Sequence, residues 1–185
     1  MVKDVMKDTE EHMKGAIEAT KKAFQAIRTG RANPNLLDRV LVEYYGTETP
    51  LTQMASVSSP DGRSLVIQPW DKTALSSIEK AIQKSDLGLN PLNDGTVIRL
   101  PIPQLTEERR KELVKVVKKE AEEKRVVIRN LRRDANDKIK ALEKSNQISE
   151  DESKKGLDDT QKLTDKYIVE IDKLLEQKEK EIMEV

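Results

Sequence analysis

The chain has 185 residues, 34 Lys plus Arg against 34 Asp plus Glu, a formal net charge of +0 and no cysteine. That length allows one ordinary domain or two small ones. Disulfides and thiolate metal sites are excluded, and with no bulk charge any attraction to a polyanion must come from local clustering.

The start, MVKDVMKDTEEHMK, is charged and amphipathic, with no apolar signal-peptide core, and no later stretch is long enough to span a bilayer. A soluble cytoplasmic protein with no membrane partner is expected, and the lack of cysteine fits a reducing compartment. Val2, Met6, Thr9, Met13, Ala16, Ile17, Thr20, Phe24 and Ile27 recur at helical spacing and predict one long first helix. Its end is expected at Thr29-Gly30, with the glycine as a left-handed cap.

A different regime follows. All seven prolines lie between residues 31 and 104, and that window holds 15 of the 68 charged residues in 74 positions. Proline removes a helical donor and clashes with the preceding turn, so long helices are barred from this stretch. Here RVLVEYY alternates as a strand, and GTETP reads as a turn. LTQMASVS and SLVIQP are strand candidates around the turn SPDGR, and TALSSIEKAIQKS sets Leu75, Ile78 and Ile82 on one helical face. DLGLNPLNDGT reads as loop, and VIRLPIP as a last short strand. Trp70 and the Tyr44-Tyr45 pair, where strands meet turns, are expected to pack this region.

Helical spacing returns at Thr106, a good N-cap followed by Glu107 and Glu108. The stripe Leu113, Val117, Ala121, Val127/Ile128, Leu131, Ala135, Ile139, Leu142 predicts a helix over 106–145, about 60 Å long. Lys124 interrupts it tolerably, because a lysine stem can cover apolar surface. Ser149 and Glu152 match a capping box and open a third helix with Leu157, Leu163/Thr164, Tyr167/Ile168, Ile171, Leu174/Leu175 and Ile182 inward. Such long helices need partners along their length. The expected fold is therefore α+β in two domains: an elongated three-helix bundle from 1–30 and 105–185, and a small inserted β/α domain from 31–104.

Catalytic chemistry finds little footing. His12 is the only histidine and sits at the edge of the first stripe, and there is no Gly-rich phosphate loop, metal-ligand spacing or nucleophile motif. No enzyme, cofactor or metal is expected. Positions 111, 115, 118, 122, 125, 129 and 132 share a helical face and read Lys111, Lys115, Lys118, Glu122, Arg125, Arg129, Arg132. Two readings stand: a solvated face paired with acidic neighbours, or a phosphate contact suited to the planar guanidinium fork. Arg28 and Arg31, in RTGRANP at the domain junction, form a second cluster. A coiled-coil adaptor that never touches RNA would explain the helices equally well, though not both arginine groups.

Five segments in order, IRTGRANPNLLD, VEYYGTETPL, SDLGLNP, IRLPIPQLTEERRKEL and RNLRRDANDKIK, resemble the bacterial ribosome recycling factor family, essentially from end to end. The resemblance implies a near-L-shaped monomer of tRNA-like dimensions, with a three-layer β/α/β short arm on a two-stranded hinge. It implies binding between the ribosomal subunits after peptide release, and their separation with elongation factor G and GTP, while the factor itself hydrolyses nothing. Carried over by position, Arg129 and Arg132 would face large-subunit rRNA with Arg28 and Arg31 beside them, and Arg125 and Arg133 as further members. Arg133 lies about 100° round the helix from Arg132 and could pair with an acidic neighbour. Gly30, Arg31, Pro103, Gln104 and Leu105 would make the hinge, and the inserted domain would meet the GTPase.

Overall fold

The computed structural model describes residues 1–184. They form two compact units: Met1–Arg28 with the chain from Glu107 onward, and Thr29–Thr106.

The first unit is built from α1 (Val2–Gln25), α3 (Glu107–Lys144) and α4 (Glu150–Met183), each packed on the other two. The buried faces are Thr9, Met13, Ala16, Ile17, Thr20 and Phe24 of α1, and Leu113, Val117, Ala121, Ile128, Ala135 and Ile139 of α3. In α4 the face is less apolar than its stripe suggests, because Ser153, Gly156, Thr160, Thr164 and Lys178 are buried beside Tyr167, Ile171 and Ile182. The threonines tolerate this because each hydroxyl donates one turn back: Thr20 to the Ala16 carbonyl, Thr160 to Gly156 and Thr164 to Thr160, all at 2.8 Å. Lys178 buries its stem while its Nζ lies 3.4 Å from Glu181. Gly156 permits a close helix approach, since a β-carbon there would stand 3.2 Å from Ile139 Cδ1.

The helix ends follow local chemistry. Ser149 and Glu152 form both halves of the capping box that opens α4. At the end of α3, Asn146 adopts φ 59°, its N–H donates to the Glu143 carbonyl at 3.0 Å, and the Gln147 N–H donates to Leu142 at 2.9 Å. That pair of bonds is a Schellman cap, with asparagine in the place usually held by glycine. The glycine cap expected on α1 is absent. α1 stops at Gln25 with Ala26 still right-handed, closed by bonds from Ala26 to Lys22 and from Ile27 to Phe24. Gly30 does have a positive φ of 77°, but spends it on a close approach to Pro103 and Leu105.

The second unit holds a hairpin of β1 (Leu41–Tyr44) and β2 (Thr47–Pro50), and an antiparallel sheet of β3 (Ala55–Ser58), β4 (Ser64–Pro69), β6 (Ile98–Pro101) and β5 (Leu92–Asn93), in the order β3-β4-β6-β5. α2 (Leu75–Lys84) turns Leu75, Ile78 and Ile82 into one core with Val42 of the hairpin and the facing pairs Leu65↔Leu100 and Ile67↔Ile98 of the sheet. Of GTETP, expected as a turn, only Gly46 lies in the turn, and Thr47–Pro50 is strand. The turn is Tyr45-Gly46, with φ of 50° and 76°, the two positive values a type I′ hairpin requires. Tyrosine rarely adopts such a φ, so the usual Asn-Gly signal is missing. The expected strand LTQMASVS narrows to β3, because Leu51–Gln53 is a 3-10 turn, and Leu92–Asn93 adds an edge strand inside the expected loop.

The aromatic residues also depart from expectation. Trp70 is 71% exposed and Tyr45 is 84% exposed, so neither packs the unit. Only Tyr44 is partly buried; its hydroxyl donates to Asp71 Oδ2 at 2.6 Å. That bond, burial and the Asp71 charge push the Tyr44 phenol up to about 12, while Thr73 and then Tyr44 hold the Asp71 carboxyl below its ordinary value.

Candidate nucleic-acid interface

α3 presents its basic residues beside the buried stripe, and partners on both α3 and α4 hold most of them. Arg125 is 19% exposed and donates from Nε and Nη2 to Asp172 Oδ1 at 2.8 and 2.6 Å, and from Nη1 to Glu122 at 3.1 Å. Arg129 donates from Nη1 to the other oxygen of Glu122, also at 3.1 Å. Arg125 and then Arg129 hold the Glu122 carboxyl below its ordinary value. One carboxylate thus serves two guanidinium groups, and Asp172 completes the neutralisation of Arg125. The fork of Arg125 is occupied inside the molecule, whereas Arg129 spends one of its nitrogens.

Arg132 has a different setting. Its Nη1 donates to the amide oxygen of Gln161 on α4 at 2.8 Å, and its Nε is buried without a hydrogen bond. It forms no ion pair among the described residues, and its one side-chain partner is a neutral amide. Arg133, next in sequence, is exposed and likewise makes no ion pair there. Lower on the face, Lys111 lies 3.6 Å from Glu107 and Lys118 lies 3.9 Å from Glu179. The face is therefore mixed: Lys111, Lys118, Arg125 and Arg129 are paired with carboxylates, while Lys115 and Arg132 form no ion pair among the described residues.

Arg28 and Arg31 are exposed on the irregular stretch after α1. The remaining residues singled out at the crossing points are brought together inside the second unit. Gln104 Nε2 donates to the Gly30 carbonyl at 3.2 Å, and a β-carbon on Gly30 would stand 3.2 Å from the Leu105 backbone nitrogen. Two residues that shape the site escaped sequence reasoning. Gln161 and Asp172 lie 29 and 47 positions from their arginines, and no local motif marks either. His12 is exposed, with Nδ1 2.8 Å from the Asp8 carbonyl oxygen. Among the described residues, no cluster of three His, Asp or Glu is placed to hold a metal, and no helix is long and apolar enough to cross a membrane.

These features define a class: two-unit α+β proteins in which a long, charged three-helix bundle is interrupted by a small β-rich unit and carries arginines along one helix. The family model for ribosome recycling factor matches residues 20–183. The chain belongs to that family. It is 62% identical over 185 residues, the whole of both chains, to a ribosome-recycling factor of Syntrophomonas wolfei, and 61% identical over the same span to one of Carboxydothermus hydrogenoformans. Among solved structures, a solution structure of the ribosome recycling factor is 48% identical, with 100% of this chain and 98% of that one covered and a TM-score of 0.76. A second similar chain is 50% identical, fully covered in both directions, with a TM-score of 0.65. It comes from models of the T. thermophilus ribosome recycling factor and the E. coli elongation factor G bound to the E. coli post-termination complex. The adaptor reading finds no support in these matches.

Proposed function

We propose that this chain recycles ribosomes: it binds the post-termination ribosome and, with elongation factor G and GTP, promotes separation of the subunits and release of mRNA and tRNA. The observation that carries this reading is full-length likeness, at 50% identity, to a factor represented on a post-termination complex together with that GTPase. It acts in the cytoplasm and as a monomer, and is itself no enzyme. The bundle, taken as 1–30 and 105–185, anchors the molecule, and the insert of 31–104 meets the GTPase. Arg129 and Arg132 contact large-subunit rRNA phosphates, with Arg28, Arg31 and Arg133 adding charge. Arg125 contributes chiefly by holding α3 against α4 through Asp172. Gly30, Arg31, Pro103, Gln104 and Leu105 form the hinge.

The test is cosedimentation with vacant ribosomes and with isolated large subunits, followed by a splitting assay with elongation factor G and GTP. The chain should pellet with both particles and split ribosomes only when the GTPase and GTP are present. Arg132→Ala should weaken binding by about 1–3 kcal/mol and lower its salt slope by about one counterion. Wild-type binding by that variant, at wild-type helicity, would remove Arg132 from the contact.

A further inference from the structure

We infer that Gln161 is a positioning residue for Arg132: it fixes the guanidinium in place for a phosphate while leaving its charge intact. The inference rests on the proposed rRNA contact of Arg132 and adds the group that prepares it. Three observations carry it. Gln161 Oε1 accepts from Arg132 Nη1 at 2.8 Å across the α3–α4 interface. Gln161 Nε2 in turn donates to Asp165 Oδ1 at 2.9 Å, one helical turn along α4. The Arg132 Nε is buried and unpartnered, so the inner end of the guanidinium is lodged against protein while Nη1 is tethered.

The order of the three groups settles how the amide must sit. An amide presents a donor on one side and an acceptor on the other, and the two are interchangeable in shape. Here the acceptor must face arginine, which only donates, and the donor must face a carboxylate, which only accepts. Reversing the amide would lose both bonds at once. Asp165 therefore locks Gln161, and Gln161 locks Arg132.

The neutrality of the tether is what separates Arg132 from its neighbours on the same helix. Arg125 and Arg129 are held by carboxylates, which fix a guanidinium and cancel its field together. A glutamine fixes it without cancelling it. An arginine loses side-chain freedom when it grips a phosphate, and a side chain already confined in the free protein loses less.

Four variants of the full chain test this: Gln161→Ala, Gln161→Glu, Arg132→Ala and the Gln161→Ala/Arg132→Ala double, each measured for affinity to isolated large ribosomal subunits over a salt series. Circular dichroism checks that the helices are intact. Gln161→Ala should weaken binding about two- to tenfold with an unchanged salt slope, since the charge remains and only its confinement is lost. Gln161→Glu keeps an acceptor for Arg132 but adds a cancelling charge, so it should bind more weakly and with a shallower slope. In the Arg132→Ala background, Gln161→Ala should have no further effect. Wild-type binding by Arg132→Ala would overturn the rRNA contact on which this rests. If Arg132→Ala weakens binding but Gln161→Ala does not, or if the two losses simply add, the contact stands and the positioning role of Gln161 is overturned.

Discussion

At the scale of single residues, what a side chain contributes here depends on the space and charge around it. Gly15 lies exposed in the middle of α1, and a β-carbon there would meet nothing within 4 Å. Gly30 has φ +77° and would meet the Leu105 backbone at 3.2 Å. Gly15→Ala should therefore stabilise the protein by about 0.5–1 kcal/mol in chemical denaturation, through helix propensity alone. Gly30→Ala should destabilise it by about 1–3 kcal/mol, because the left-handed backbone and the crowded β-carbon oppose it together. The tyrosines give a prediction in pH. Tyr44 through its bond to Asp71, and Tyr167 through burial and then its bond to Glu10, are each pushed up from 10.0 to about 12. Each phenol holds its proton more tightly when folded, so its stabilisation is complete below pH 10 and is lost as pH rises from 10 to about 12. Lysines titrate in the same window, so the comparison must be internal. Tyr44→Phe and Tyr167→Phe should each show a shallower fall in stability over that range than the wild type, and each should lose a late phase of tyrosinate absorbance. A fall as steep in both variants would mean that neither phenol holds its proton more tightly in the folded chain.

At the scale of elements, the α3–α4 connection is closed by hydrogen bonds at both helix ends. The Schellman bonds at Asn146 and the capping box at Ser149 lie within a few residues of each other and fix where one long helix stops and the next begins. Ser149→Ala removes an acceptor for the Glu152 N–H and should cost about 0.5–2 kcal/mol. Asn146→Gly should be neutral or slightly stabilising, since glycine enters the left-handed region freely, whereas Asn146→Val should cost about 1–2 kcal/mol. Thermal unfolding of the variants followed by helical signal checks both; equal melting of the valine and glycine variants would show that the cap is not what sets this turn. The cap was legible only in half. Ser-x-x-Glu is a motif with a fixed spacing, but asparagine in a polar run carries no comparable signature. The hairpin Tyr45-Gly46 escaped notice for the same reason: its conformation is enforced by the β1–β2 pairing, not advertised by the residues in it.

At the scale of the molecule, the two units have separate cores. The buried faces of α1, α3 and α4 lie wholly outside residues 29–106, and the core around Leu65, Ile67, Ile78 and Ile98 lies wholly inside them. Replacing 29–106 by a short Gly/Ser linker should therefore leave a cooperative helical bundle. It should still bind large subunits, through Arg129 and Arg132, and fail to split ribosomes with elongation factor G and GTP. An unfolded product, under conditions where the full chain is folded, would show that the bundle needs the insert. Splitting at the full rate would show that the insert is not what the GTPase works against.

Sequence by itself determined the parts of this protein that depend on periodicity and on proline. Apolar residues at helical spacing can be buried together only as a helix, and proline cannot lie inside one. Three long helices and one interrupting β-rich stretch were therefore readable from the order of the residues. The clustering of basic residues on one face of α3 was readable too, because that face is set by helix geometry alone. Which of those charges survive was decided by tertiary structure. α4 sets Asp172 against Arg125 and Gln161 against Arg132, and each pairing depends on how two helices are registered across a shared core. The same holds for Trp70, whose large apolar ring suggested burial. Whether a residue at the end of a strand turns inward or outward depends on what lies beyond that end, and only the folded chain supplies it.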